Sequence, residues 1–144
     1  AYDPKAKWTV AQPFNRATAR AASLFLEKLI ADMPFKVKAI QVDGGSEFKA
    51  EFEAACEAKG IALWLLPPRS PELNGRVERM QATWRYEYYA VYDPPRQIDR
   101  LNPLIDAFAH RYNTYRPHDA LGQRSPRQYL DSLSDGDPVQ SHMC

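Results

Sequence analysis

Two apolar runs, Val37 to Val42 (VKAIQV) and Ile61 to Leu66 (IALWLL), flank a segment that reads as a helix from about Phe48 to Lys59. Gly60 follows that helix, where a glycine commonly ends one, and Asp43-Gly44-Gly45-Ser46 precedes it, with glycines that permit tight backbone geometry. Upstream, KWTVAQPF (Lys7 to Phe14) alternates polar and apolar residues and ends at a proline, the pattern of a strand on the flank of a sheet. Between this run and Val37, Ala22, Phe25, Leu26, Leu29 and Ile30 recur at helical intervals, with Asn15 or Thr18 to cap the helix and Pro34 to end it. The order strand, helix, strand, helix, strand favours a mixed α/β sheet with right-handed crossovers.

Prolines divide the rest of the chain. Pro67, Pro68 and Pro71, with Asn74-Gly75 after them, predict a loop that is first stiff and then flexible. A long helix is expected from near Gly75 to about Tyr92, stopped by Pro94 and Pro95. A last helix is expected over Ile98 to Asn113, with Pro103 in its first turn or bending it. After Tyr129 the polar, proline-broken end predicts a frayed tail, so the domain expectation is a core over 1–130 and a flexible segment over 131–144.

At 144 residues, 44% hydrophobic and 26% charged, the chain has the size and composition of one ordinary globular domain. Its apolar stretches are too short or too interrupted to span a bilayer and its start lacks a signal-peptide layout, so the expectation is a cytosolic protein with no membrane partner. Cys56 and Cys144 offer neither metal-ligand spacing nor a disulfide framework and read as free thiols. The net charge of +1 does not itself mark a nucleic-acid binder, but arginines gather from Arg69 to Arg100 and from Arg111 to Arg127, so the second half can present a basic surface.

Two carboxylates stand out. Asp43 follows an apolar strand at its carboxyl end, the edge where open α/β sheets hold ligands. Glu78 lies 35 positions later, in the first turns of the long helix. Two-metal phosphoryl transfer takes oxygen ligands from several elements, because Mg²⁺ is hard and two ions about 3.5 to 4 Å apart stabilise the attacking and leaving oxygens together. Asn74, Glu78 and Arg85, at i, i+4 and i+11, share a helix face that suits a DNA backbone beside a metal. An exposed, salt-linked helix shows the same pattern.

VDGGSEF (Val42 to Phe48), PPRSPELNGRVERMQ (Pro67 to Gln81) and YNTYRPHDALGQRSP (Tyr112 to Pro126) together resemble the integrase catalytic core of bacterial insertion-sequence transposases and retroviral integrases. The resemblance implies an RNase H-like mixed sheet flanked by helices, dependence on Mg²⁺ or Mn²⁺ in a two-metal site, and cleavage and strand transfer on transposon ends and target DNA. It makes Asp43 and Glu78 the second and third acidic residues of a catalytic, metal-binding triad. It places Arg85 and Arg79 at DNA, with Asn74 and Gly75 in a mobile loop bordering the site. Homo-oligomerisation is a further family expectation.

The family's first catalytic Asp sits on the first strand of the fold, and Ala1 to Phe14 resembles the region after it. Asp3 is therefore expected in a structural hairpin, the core is expected to be truncated at its N-terminal strand, and the chain alone is expected to be a poor catalyst. The alternative function is a non-catalytic DNA-binding or oligomerisation module of a decayed element. A Holliday-junction or RNA–DNA hybrid nuclease would share the fold but not the Asn-Gly to Glu-Arg block. Among other candidates, Glu47 reads as a helix cap or a further ligand, Trp64, Trp84, Phe52 and Phe108 as core, His118 as the pin of a turn, and Arg116 as a salt-bridge or DNA residue.

Overall fold

The computed structural model of the chain describes residues 1–67 and 71–134, with the backbone alone at 71–74 and 76. Its helices and strands run α1 (Ala19–Asp32), β1 (Ala39–Val42), α2 (Glu51–Ala58), β2 (Ala62–Leu65), α3 (Pro71–Thr83), a π-helical stretch (Trp84–Tyr89), α4 (Ile98–Thr114) and α5 (Pro126–Ser134).

β1 and β2 are parallel, in the register Ala39 to Ala62 and Val42 to Leu65, and are joined through α2 as the apolar runs predict. Gly60 stops α2 by adopting a φ of +65°. The Gly60 N–H then donates to the Glu57 carbonyl and the Ile61 N–H to the Cys56 carbonyl, both at 2.9 Å, which closes a Schellman cap and aims the chain into β2. The expected helix from Phe48 is split: Ser46–Phe48 form a 3₁₀ turn and α2 starts at Glu51. α1 matches expectation, with the Thr18 hydroxyl capping it by accepting from the Ala21 N–H at 3.1 Å.

The strand expected over Lys7 to Phe14 is not part of the sheet, which has two strands among the described residues. Asp3 explains the difference. Its carboxylate accepts from the Lys5 and Ala6 N–H groups at 3.1 and 2.6 Å, turning the chain so that Thr9 pairs antiparallel with Tyr2. Asp3 thus holds the expected hairpin position. The hairpin's Ala6, Trp8 and Val10 join Leu26 and Leu29 of α1, Val42, Phe52, Cys56 and Ile61 in one buried core. Burial of each such large apolar side chain contributes roughly 1.5 to 3 kcal/mol.

The long helix begins at Pro71 rather than near Gly75, so Asn74 and Gly75 are helical and not in a loop. Proline is pre-organised for a helix's first position, where its missing N–H costs nothing. Pro103 sits in the second turn of α4, which leaves the Asp99 carbonyl without its helical donor. α5 is opened by a reciprocal cap: the Ser125 N–H donates to Gln128 Oε1 at 2.9 Å and the Gln128 N–H to Ser125 Oγ at 3.3 Å. That helix continues past Tyr129 to Ser134, where the sequence predicts fraying, and residues 135–144 lie outside the described ones.

α4 is fastened to the hairpin and to α1 by polar contacts. Asn113 is buried and acts as one more rung of a sheet, its Oδ1 accepting from the Thr9 N–H at 2.9 Å and its Nδ2 donating to the Thr9 carbonyl at 2.8 Å. Lys28 of α1 pairs with Asp106 of α4 at 2.9 Å and with Asp32 at 2.7 Å. No described helix is long and apolar enough to cross a membrane.

Candidate active site

β1 delivers Asp43 to the carboxyl end of the sheet. Val42 is anchored in the core and its carbonyl accepts from the Leu66 N–H at 2.9 Å, which extends the pairing one residue beyond the strands. Asp43 and Leu66 therefore leave the sheet side by side, at the roughly 4.8 Å spacing of neighbouring strands. α3, which carries Glu78, follows β2 in the chain order. The Asp43 and Glu78 side chains are exposed. Asp43 Oδ1 accepts from the Gly45 N–H at 3.2 Å, which fixes the turn and leaves the other oxygen open to solvent.

Of the two glycines of this turn, Gly44 has open space around it and Gly45 a close neighbour. Gly45 has a φ of −57°, and a β-carbon there would meet the Glu47 carboxylate at 2.7 to 2.9 Å. Glu47 thus folds back over the turn that Asp43 opens, with no cap hydrogen bond to α2. Hard carboxylate oxygens suit Mg²⁺ or Mn²⁺. Their number falls short, since no three His, Cys, Asp or Glu side chains among the described residues gather closely enough to hold a metal ion.

The other predicted positions fall along α3 and its extension. Arg79 and Arg85 are exposed and have no ion-pair partner among the described residues. Gly75 lies inside α3 with open space where a β-carbon would project. Asn74 is on the same helix, but its side chain lies outside the described residues. Arg85 and Gln81 line a cavity of about 650 Å³ between this helix and residues 9–13 of the chain. The π-helical stretch begins at Trp84, and both Arg85 and Tyr89 of that stretch line this cavity.

A second polar centre was only partly legible in the sequence. Arg116 grips Glu87 through two parallel hydrogen bonds, Nε to Oε2 at 2.8 Å and Nη2 to Oε1 at 2.5 Å, and this bond holds the Glu87 carboxyl below its ordinary range. Arg116 is thus a salt-bridge residue. Its Nη1 lies 3.3 Å from His118 Nδ1, which as the acceptor puts the ring proton on Nε2. Burial first, and then the charges of Arg116 and Lys7, lower the His118 pKa to about 4. The His118 backbone pairs with Arg124, so this histidine does pin a turn. Tyr112 packs edge-on against its ring, and burial pushes the Tyr112 phenol upward. Of the aromatics expected in the core, Phe52 is buried, Trp84 and Phe108 are half-buried with ring centres 4.6 Å apart and planes tilted by 60°, and Trp64 stands 64% exposed.

Known proteins share this fold. An integrase core domain family matches residues 59–126. The transposase InsD for insertion element IS2A/D/F/H/I/K of Escherichia coli is 35% identical over 100 residues, covering 69% of this chain and 33% of the relative. The chain spans less than half the length of the curated relatives it matches. The catalytic core domain of BIV integrase superposes with a TM-score of 0.73 at 22% identity, over 93% of this chain and 85% of that one. A chain of the simian T-cell lymphotropic virus intasome, solved in complex with the PP2A regulatory subunit B56 gamma, gives a TM-score of 0.70 at 20% identity, over 90% of this chain and 46% of that one. The fold is RNase H-like.

Proposed function

We propose that this chain carries the integrase core found in insertion-sequence transposases and forms the catalytic part of a metal-dependent polynucleotidyl transferase that cuts and joins transposon DNA. The observation that carries the reading is the parallel pairing of β1 with β2, which leaves the exposed Asp43 carboxylate at the carboxyl edge of the sheet, where α/β folds hold ligands. The proposed partners are transposon ends and target DNA, handled by a homo-oligomer in the cytoplasm. The core unit is proposed to span 1–130.

Asp43 and Glu78 supply the carboxylate oxygens that would hold Mg²⁺ or Mn²⁺. When bound, the ions polarise a phosphodiester and favour attack by water or a 3′-hydroxyl. Arg79 and Arg85 offset phosphate charge along the same helix, and Asn74 and Gly75 border the DNA path. A third carboxylate, supplied from beyond the described residues, completes the ligand set. Room for a strand bearing it exists beside residues 11–12, where cavities of about 390 and 650 Å³ share Ala11 and Gln12 as walls and the Gln12 Oε1 is buried without a partner. The 144 residues by themselves are accordingly a poor catalyst.

The test is Mn²⁺-dependent strand transfer on transposon-end DNA by the protein as encoded, wild type against Glu78→Gln, with the isolated 144-residue chain in parallel. Loss of joining in the variant and its absence from the isolated chain are expected. Equal joining by wild type and variant removes Glu78 from the chemistry. DNA retention without any metal-dependent joining supports the alternative, a binding or oligomerisation module of a decayed element.

A further inference from the structure

On the side of the π-helical stretch away from Arg85, a groove of about 510 Å³ runs between that stretch and the end of α4. Its walls hold Tyr86 and Tyr115, which are 66% and 71% exposed, and Tyr92 beside them. Globular surfaces seldom leave flat aromatic rings so open when nothing uses them. Two guanidiniums, Arg111 and Arg116, face one carboxylate, Glu87, and the last two are spent on each other. Arg111 has no ion-pair partner among the described residues, so the groove keeps an unspent positive charge.

Aromatic faces beside an unpaired arginine suit unpaired nucleobases, with stacking on the rings and the phosphate on the cation. We infer that this groove is a second nucleic-acid site, which takes a few unpaired nucleotides of the DNA strand held beside Glu78. Position supports the assignment. Tyr86 lies eight residues after Glu78 on one continuous helical rod, about 12 Å along its axis, which a strand covers in three to four nucleotides. The inference rests on the DNA-handling reading above and adds to it a stacking platform outside the carboxylate site.

Binding measured in EDTA separates the two, because it needs no metal and no joining. Fluorescence anisotropy of the chain with a short labelled oligothymidine, and with a duplex of equal length, gives both affinities. Tyr115→Ala and Tyr86→Ala are expected to weaken single-strand binding about five- to hundredfold each while sparing the duplex, and the Phe variants, which keep the ring, to hold it within about twofold. Arg111→Ala is expected to reduce the slope of log affinity against log salt by about 0.7. Both tyrosines are exposed, so circular dichroism should show unchanged folding. Unchanged oligothymidine affinity in the Ala variants overturns the inference alone. So does a change in sedimentation without a change in DNA affinity, which would make the groove a protein contact. Failure to bind either DNA overturns the DNA-handling reading as well.

Discussion

Around Asp43 and Glu78 the charged side chains are exposed, and Arg79 and Arg85 have no ion-pair partner among the described residues. Around Glu87 and Arg116, by contrast, carboxylate meets guanidinium twice, a histidine accepts from the same guanidinium, and nearby Asn113 satisfies both backbone groups of Thr9. The first region leaves its charged groups exposed to solvent. The second uses its polar groups to fasten the C-terminal helices to the hairpin. The two regions thus differ in how far their polar groups are satisfied within the chain, and each contrast can be tested by substitution.

The largest effect is expected in the first region. Asp43→Asn and Glu78→Gln in the protein as encoded should each reduce strand transfer on the order of a thousandfold or more, as loss of a preorganised electrostatic or metal-holding group does. Thermal unfolding of the same variants should stay within about 0.5 kcal/mol of wild type, because exposed substitutions away from special features are nearly neutral. A clear loss of stability in either variant would show that these carboxylates serve the fold and would erase the contrast.

Asn113→Leu should behave in the opposite way. It keeps the volume but strands the buried Thr9 N–H and carbonyl, so urea unfolding should report a loss of about 2 to 4 kcal/mol. The carboxylate variants serve as the control within the same experiment. If Asn113→Leu costs no more than Asp43→Asn, the amide is not the clamp that its geometry implies.

How much of this was legible depended on the range of the interactions. α1, β1, β2 and the end of α2 were readable because their signals are local: Thr18 as a cap, Gly60 as a stop, apolar runs of strand length. The role of Asp3 in a hairpin and that of His118 in a turn followed from motif resemblance and agree with the hydrogen bonds found. The strand over Lys7 to Phe14 misled because alternation specifies an extended chain but not its partner, and the Asp3 turn returned Thr9 to Tyr2. Asn74-Gly75 looked like a loop by composition, yet Pro71 opens a helix through both. The Asn113 to Thr9 clamp spans 104 positions and leaves no periodic trace. Asp43 and Glu78 were selected by motif, and what the fold adds is the place of Asp43 at the carboxyl end of β1.

The Glu87 and Arg116 pair sharpens the comparison at smaller scale. Its geometry is bidentate, but both side chains remain partly exposed, at 42% and 32%, so solvent screening limits its worth. A double-mutant cycle with Glu87→Gln and Arg116→Met should return a coupling of about 1 kcal/mol, with no coupling between Glu87 and Asp43. A coupling near zero would make the pair a surface contact rather than a fastening.

The smallest effect is a pH dependence, and its sign is fixed. The folded His118 pKa is lowered to about 4, by burial first and then by Arg116 and Lys7, while an unfolded histidine titrates near 6.5. Between those values the unfolded chain binds the extra proton, so stability is complete above about pH 7 and declines as pH falls toward 4. Glu87 and Asp119 face the ring and oppose the shift, but Glu87 itself titrates below its ordinary value and so contributes little between pH 7 and 5. With solvent screening discounted, wild type should lose about 1 kcal/mol over that interval more than His118→Gln does, read as the difference in urea midpoints at the two pH values. Equal losses in the two proteins would mean that the ring takes its proton without cost, and that the region around Arg116 is as open to solvent as the edge at Asp43.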